Sequence, residues 1–359
     1  LLISGVLIVA NANLKFTLHC KHANLTLFSH VHYAAFLRSQ EYAYNNNEKN
    51  IPVYLNYYGL NDNPFSIAPN PDYLFMSTRH KQALAHLNFG LTESGGFVML
   101  TGEVGTGKTT VSRKLMQELG KDTQIAVILN PTLSALELLA TVCDELGVNY
   151  DQNSASLKVF TDRILAKLAS NHENGVNTVL LIDEAQHLLP EVLEQLRLLT
   201  NLETNREKLL KVVLIGQPEL QQLLRRNELR QLAQRVTARY HLLPLTQVEV
   251  GQYVEHRWSV AGGLSACFTK AALVELFTIS GGIPRVINLL CDRALSLGYS
   301  LQKPFIDHQI MVSSSFQVLG EDIVLQRQQS RFKPLYIRGF LLALILGLLT
   351  GAIYGGLYA

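Results

Sequence analysis

The sequence predicts an α/β chain in which a P-loop core on a five-stranded parallel sheet is followed by a helical lid and then one membrane-spanning helix. Three observations carry that prediction. Residues 102–109 read Gly-Glu-Val-Gly-Thr-Gly-Lys-Thr and fit the phosphate-binding pattern GxxxxGK[ST] at every fixed position. Short apolar runs, each of strand length, alternate with segments of helical period around that loop. Residues 339–359 carry no charged side chain and are dominated by Leu, Ile, Ala and Gly.

The loop comes first because it has the setting its chemistry needs. Phe97-Val98-Met99-Leu100 reads as a buried strand ahead of it, and residues 111–119 read as a helix behind it. Glycines let the backbone turn its N–H groups inward around phosphate oxygens, and the helix N-terminus adds partial positive charge. Gly102, Glu103, Val104, Gly105, Thr106, Gly107, Lys108, Thr109 and Thr110 are therefore the expected cradle for ATP. Lys108 would reach the β- and γ-phosphates, and Thr109 would offer its hydroxyl to Mg²⁺.

Residues 125–129 read as a second buried strand ending at Asn130-Pro131, and Ser134 is placed to cap a helix that stops at Gly147. A helix over 156–168 follows, and Asn174-Gly175 turns the chain into the apolar strand 179–182. That strand delivers Asp183-Glu184, an acidic pair of Walker B type. Asp183 would hold Mg²⁺, while Glu184 would act as general base on the attacking water. The plainer account, an acidic pair that merely caps the next turn, loses weight with a phosphate loop upstream.

Pro190 opens a helix through Leu202, and residues 209–215 form a fourth strand ending at Gly216-Gln217-Pro218. Ligands of parallel sheets sit beyond the strand C-termini, so Gln217 is placed to sense the γ-phosphate or the water. A turn amide bonding only backbone is the competing account. By the same geometry Asn130 could hold Glu184 in check. Arg225, Arg226, Arg230, Arg235 and Arg239 lead into a fifth strand at 240–245; most fit a solvated face, but Arg235 is the candidate for a finger reaching a neighbouring subunit's γ-phosphate. Helices over 248–260, 270–279 and 284–299 make the lid, and Arg285, just after Pro284, would swing over the nucleotide.

Residues 54–72 set aromatics among prolines, as in an irregular arm packed on the domain that follows, where it could bury the adenine ring; residues 79–91 then read as a helix. With 359 residues and 48% hydrophobic content the chain can build two or three domains. A net charge of +2 argues against strong electrostatic capture of nucleic acid. Cys20, Cys143, Cys267 and Cys291 lack zinc spacing and read as buried thiols, so no metal besides Mg²⁺ is expected.

The expected divisions are a leader at 1–52, an arm and helix at 53–95, the nucleotide-binding domain at 96–246, the lid at 247–315, a basic linker at 316–338 and the membrane helix at 339–359. The leader is rich in Asn and His and reads as translated upstream sequence, with Val53 as an alternative start. A helix over 339–359 would span ~30 Å, about one bilayer core. Arg327, Arg331, Lys333 and Arg338 lie on its N-terminal side, which puts the preceding bulk on the cytoplasmic side of a single-pass protein. The chain would then stop at the far face of the membrane, as a truncated protein would.

Taken together, the strand order, the acidic pair, the arginine before the fifth strand and Gly281-Gly282-Ile283-Pro284-Arg285 resemble AAA+ ATPases. More narrowly, residues 57–300 resemble the general secretion pathway protein A (ExeA) type and its relatives in mannose-sensitive pilus biogenesis. Tyr58-Gly59-Leu60, Asn63-Pro64-Phe65, residues 102–109, 181–186, 196–204, 215–220, 229–240 and 281–288 carry this likeness. The resemblance implies an ATPase of the bacterial inner membrane that forms a homo-oligomer and works with an inner-membrane or periplasmic partner in a type II secretion or type IV pilus machine. It also implies a periplasmic peptidoglycan-binding region after the membrane helix, which this sequence lacks. Two other readings are a DNA-binding regulator of the transposition type, disfavoured by the apolar tail and balanced charge, and an ATP-gated scaffold with little turnover.

Overall fold

Five strands, β1 (Phe97–Gly102), β2 (Thr123–Ile128), β3 (Asn177–Ile182), β4 (Lys211–Gly216) and β5 (Val236–Leu242), pair in parallel in the order β2-β3-β4-β1-β5. They are seen in a computed structural model that describes residues 52–68, 70–92, 96–129, 131–151, 156–203, 208–320 and 324. The register sets Thr101 beside Gly216 and Ile182 beside Leu214, so the ends of β1, β3 and β4 come out at one edge of the sheet. That edge is where a parallel sheet takes ligands.

Twelve helices are described: α1 (Leu55–Tyr58), α2 (Thr78–Thr92), α3 (Lys108–Glu118), α4 (Ala135–Glu145), α5 (Leu157–Glu173), α6 (Pro190–Leu199), α7 (Glu219–Leu223), α8 (Arg230–Gln234), α9 (Gln247–Val260), α10 (Lys270–Ser280), α11 (Pro284–Ser300) and α12 (His308–Leu319). Successive strand residues point to opposite faces. Val98, Leu100, Leu181 and Ile215 meet Leu84, Leu87, Val111 and Leu115 of α2 and α3 on one face. Met99, Leu180, Ile182 and Leu214 meet Leu138, Ile164, Leu168 and Leu196 of α4 to α6 on the other. Both faces being covered explains why β1 is buried along its whole length and why its sequence is a continuous apolar run.

Local chemistry sets the helix starts. Ser134 accepts from the Glu137 N–H at 3.3 Å while the Glu137 carboxylate accepts from the Ser134 N–H at 2.8 Å, a capping box that opens α4. Thr246 and Glu249 do the same for α9, Ser156 caps α5, and Pro190 stands in the first turn of α6.

Three expectations change. The fifth strand runs over Val236–Leu242 rather than 240–245, because an edge strand alternates and exposes Thr237, Arg239 and His241, so no apolar run announces its start. The lid has a further helix, α12, capped by Asp307, which carries the lid past residue 315 into the expected linker. The arm packs on the lid and not on the domain next in sequence. Tyr54, Leu55, Leu60, Phe65 and Tyr73 belong to one core with Trp258, Phe268, Leu290 and Leu295. The lid helices present an aromatic-lined face that needs cover, and edge-on pairs such as Phe65–Phe268 at 5.9 Å and Tyr58–Trp258 at 6.0 Å supply it.

Cys143, Cys267 and Cys291 are buried free thiols, and burial pushes Cys143 up to about 11 and Cys267 up to about 12. Among the described residues no helix is long and apolar enough to cross a membrane. Cys20, nearly all of the expected leader, most of the basic linker and the membrane helix at 339–359 lie outside the described residues.

Candidate functional site

The phosphate loop leaves β1 at Gly102 and enters α3 at Lys108. Gly105 (φ 80) and Gly107 (φ 100) take left-handed backbone that a side chain resists. Space forbids one as well: a Cβ would lie 2.6 Å from Arg285 Cβ at Gly105 and 2.6 Å from His80 Nε2 at Gly107. Gly107 is the N-cap of α3 and provides no side-chain cap, so the first N–H groups of the helix remain available to an anion. Thr106 braces the turn, its hydroxyl donating to the Glu103 carbonyl at 2.8 Å.

Lys108 is 7% exposed, and its ammonium donates to the carbonyls of Gly102 at 2.9 Å and Glu103 at 3.1 Å. Burial lowers its pKa, opposed chiefly by the charges of Glu184 and Asp183. The cation is thus held at the mouth of the loop by neutral acceptors. Thr109 Oγ1 donates to Asp183 Oδ2 at 3.2 Å, which joins the first turn of α3 to the end of β3. Burial raises the Asp183 pKa, while the Glu184 N–H, donating to its Oδ1 at 2.9 Å, works the other way. A hydroxyl and a carboxylate side by side are the hard oxygen donors that Mg²⁺ takes, so the residues fit that ion.

Glu184 adopts φ 52, a left-handed conformation unusual for a residue with a side chain. Its carboxylate accepts from Gln186 Nε2 at 2.6 Å and from Gln217 Nε2 at 3.4 Å. The Gln186 bond holds the Glu184 pKa below the usual carboxylate range, against the effect of burial. Gln217 therefore directs its side chain at the acidic pair rather than only at turn backbone. Asn130, the expected restraint on Glu184, lies outside the described residues.

The lid closes over the loop at one point of backbone contact, where the Arg285 N–H donates to the Gly105 carbonyl at 3.3 Å. Arg285 lines a cleft of about 450 Å³ together with Lys108, Thr109, Thr110 and Glu184. The cleft is also walled by Ile67 and Phe75 of the arm and by Tyr253, Arg257 and Asn288 of the lid. Arg257 straps arm to lid: its Nη2 donates to Ser66 O at 3.2 Å, its Nε to Pro64 O, and its guanidinium lies over the Tyr73 ring at 4.9 Å.

Arg235 is not in this cleft. It stands just before β5, at the opposite end of the strands from the loop, and Nη1 donates to Arg197 O at 3.1 Å and Thr200 Oγ1 at 3.3 Å at the C-terminus of α6. Besides the arm and lid residues that wall the cleft, two residues that bond to the acidic pair and to the loop were not picked out from the sequence. Gln186 sits two positions beyond Glu184, where spacing alone gave no role. His80, 4% exposed on α2, places Nε2 3.1 Å from the Thr106 carbonyl and Nδ1 2.7 Å from Ser77 Oγ. A carbonyl only accepts, so Nε2 carries the proton and Nδ1 accepts from the Ser77 hydroxyl. A histidine in a helical pattern carries no signal of such a contact.

Residues 91–224 match the family described as AAA domain. Over 268 residues the chain is 58% identical to General secretion pathway protein A of Aeromonas hydrophila, covering 75% of this chain and 49% of that protein. The chain therefore spans about half the length of this relative. Cdc6p from Pyrobaculum aerophilum superposes with a TM-score of 0.56 at 19% identity, covering 71% of this chain and 70% of that one. Drosophila ORC bound to DNA does so with a TM-score of 0.54 at 17% identity, covering 79% and 72%. At such identities these two share the fold alone. The loop, the acidic pair and strands β1 to β4 accordingly lie within the stretch that matches AAA domain, in a chain similar over 268 residues to General secretion pathway protein A.

Proposed function

We propose that this chain is an ATPase that binds and hydrolyses MgATP in the cleft between phosphate loop, arm and lid. The observation that carries the reading is the convergence of Lys108, the Thr109–Asp183 pair and Glu184 at one edge of the sheet. The loop N–H groups and Lys108 would bind the triphosphate, and the arm and lid would enclose the base. Thr109 and Asp183 would hold Mg²⁺, which offsets phosphate charge when bound. Glu184 would take the proton of the attacking water as Gln217 orients it, and Arg285 would place positive charge over the phosphates.

In this reading the protein is anchored in the bacterial inner membrane through residues 339–359, with its ATPase domain cytoplasmic, and works as a homo-oligomer with an inner-membrane or periplasmic partner. The likeness to General secretion pathway protein A supports a place in type II secretion, with type IV pilus assembly as the related setting. Arg235 would act on a neighbouring subunit's nucleotide, in keeping with its distance from the loop of its own chain.

The test is turnover of the full chain in detergent against protein concentration, with two controls. Lys108→Ala should lose nucleotide binding, and Glu184→Gln should bind ATP without turning it over. Equal loss of binding in both would defeat the assignment of roles. Specific activity that rises with concentration supports a shared site between subunits, whereas negligible turnover with intact binding would favour an ATP-gated scaffold.

A further inference from the structure

Gln186 stands between the general base and the turn that ends β4, and it uses both ends of its amide. Nε2 donates to Glu184 Oε2 at 2.6 Å, while Oε1 accepts the backbone N–H of Gln217 at 2.9 Å. The first is a short, charge-assisted bond; the second ties the amide to main chain, which cannot rotate away. Room for this bridge depends on Gly216, where a Cβ would come within 2.6 Å of Gln186 Oε1. Gln217 reaches the same Glu184 oxygen with its own side chain, at 3.4 Å. Glu184 meanwhile sits in left-handed backbone that persists only when its surroundings hold it there. Only a group with a donor and an acceptor at the two ends of one planar unit can make both bonds. An alkyl chain makes neither, and a carboxylate would turn an acceptor toward an acceptor.

We propose that Gln186 is a positioning residue for ATP turnover: it ties the Glu184 carboxylate to the backbone of the Gln217 turn, so that a shift of that turn under the γ-phosphate reorients the base. This rests on the ATPase reading given above. Gln186 touches neither nucleotide nor water in this scheme. Its removal should therefore change how well the base is aimed and leave affinity for nucleotide alone.

The experiment is steady-state MgATP kinetics of the full chain, alongside binding of a non-hydrolysable ATP analogue. Gln186→Ala is expected to lower kcat by ~10- to ~100-fold, with KM and analogue affinity held within about twofold. Gly216→Ala, which displaces the amide without removing it, should lower kcat in the same sense. In a Gly216→Ala background, Gln186→Ala should add less than about a twofold loss, since the amide is already displaced from the Gln217 N–H there. A kcat for Gln186→Ala within about twofold of wild type, or losses that multiply fully in the double variant, would overturn the tie. Should circular dichroism show Gln186→Ala unfolded, the same-sized Gln186→Glu and Gly216→Ala decide, and an unchanged kcat in either overturns it. Wild-type turnover no higher than that of Lys108→Ala would overturn the ATPase reading and the tie with it. Clear wild-type turnover with an unaffected Gln186→Ala would sink the tie alone.

Discussion

Thr109 Oγ1 and Asp183 Oδ2 lie 3.2 Å apart, one on the first turn of a helix and the other at the end of a strand one position over in the sheet from β4. The carboxyl is buried, and its pKa is raised by that burial. A buried carboxylate with one hydroxyl partner gains most from a cation. Asp183→Asn should leave nucleotide binding indifferent to EDTA, whereas the wild type should lose ~10-fold or more of its affinity when Mg²⁺ is removed. Titration of a fluorescent ATP analogue with and without chelator checks this.

Lys108 is buried with no carboxylate of the described residues in contact, its ammonium resting on two carbonyls. Lys108→Met removes a costly buried charge and keeps the alkyl chain, so the nucleotide-free protein should change in stability by no more than ~1 kcal/mol. Saturating MgATP at ~100 times Kd should stabilise the wild type by ~2.7 kcal/mol and the variant not at all. Thermal melts with and without nucleotide measure both quantities.

The buried imidazole of His80 is held neutral, its pKa lowered by burial against the pull of the Thr106 carbonyl and Glu249. The sign follows from linkage. As pH falls through the ordinary histidine value of about 6.5, the unfolded chain takes up a proton that the folded chain resists, so stability drops. Between pH 7 and pH 5 the wild type should lose more stability than His80→Gln, read from denaturant midpoints at each pH. Parallel losses in the two proteins would contradict the assignment.

Phe65 is 1% exposed and lies 65 residues into the chain yet inside the lid core, against Phe268. Phe65→Ala should cost ~3–5 kcal/mol, and the loss should fall on arm and lid together while the α/β sheet stays protected. Hydrogen exchange would show it as deprotection of α9 to α11 without deprotection of β1, β3 and β4.

Arg235 caps the C-terminus of α6 through Arg197 O and Thr200 Oγ1. Arg235→Ala should cost roughly 1 kcal/mol from those bonds. If the same guanidinium serves a neighbouring site, turnover should fall by ~10³ with ATP binding retained, and mixing with Lys108→Ala subunits should restore part of it. A stability loss with unchanged turnover would leave Arg235 as a cap only.

How much could be read beforehand follows from how local each cause is. Residues 102–109 and Asp183-Glu184 were legible because phosphate and metal chemistry demands those residue types at fixed neighbours, on strands whose two covered faces force continuous apolar runs. The start of α4 was likewise written in one capping residue, Ser134. The edge strand β5 was misplaced because half of its residues face solvent, and α12 passed unnoticed because it packs into a lid whose extent no local pattern marks.

What the sequence alone determined about this protein is therefore the loop motif, the acidic pair and the parallel core, all consequences of short-range pattern. Tertiary structure decided the rest: that the arm belongs to the lid, that Arg235 lies away from its own loop, and that Gln186 and His80 touch the site at all. Those relations join residues from different elements, and only the packed sheet and lid bring them within hydrogen-bond range.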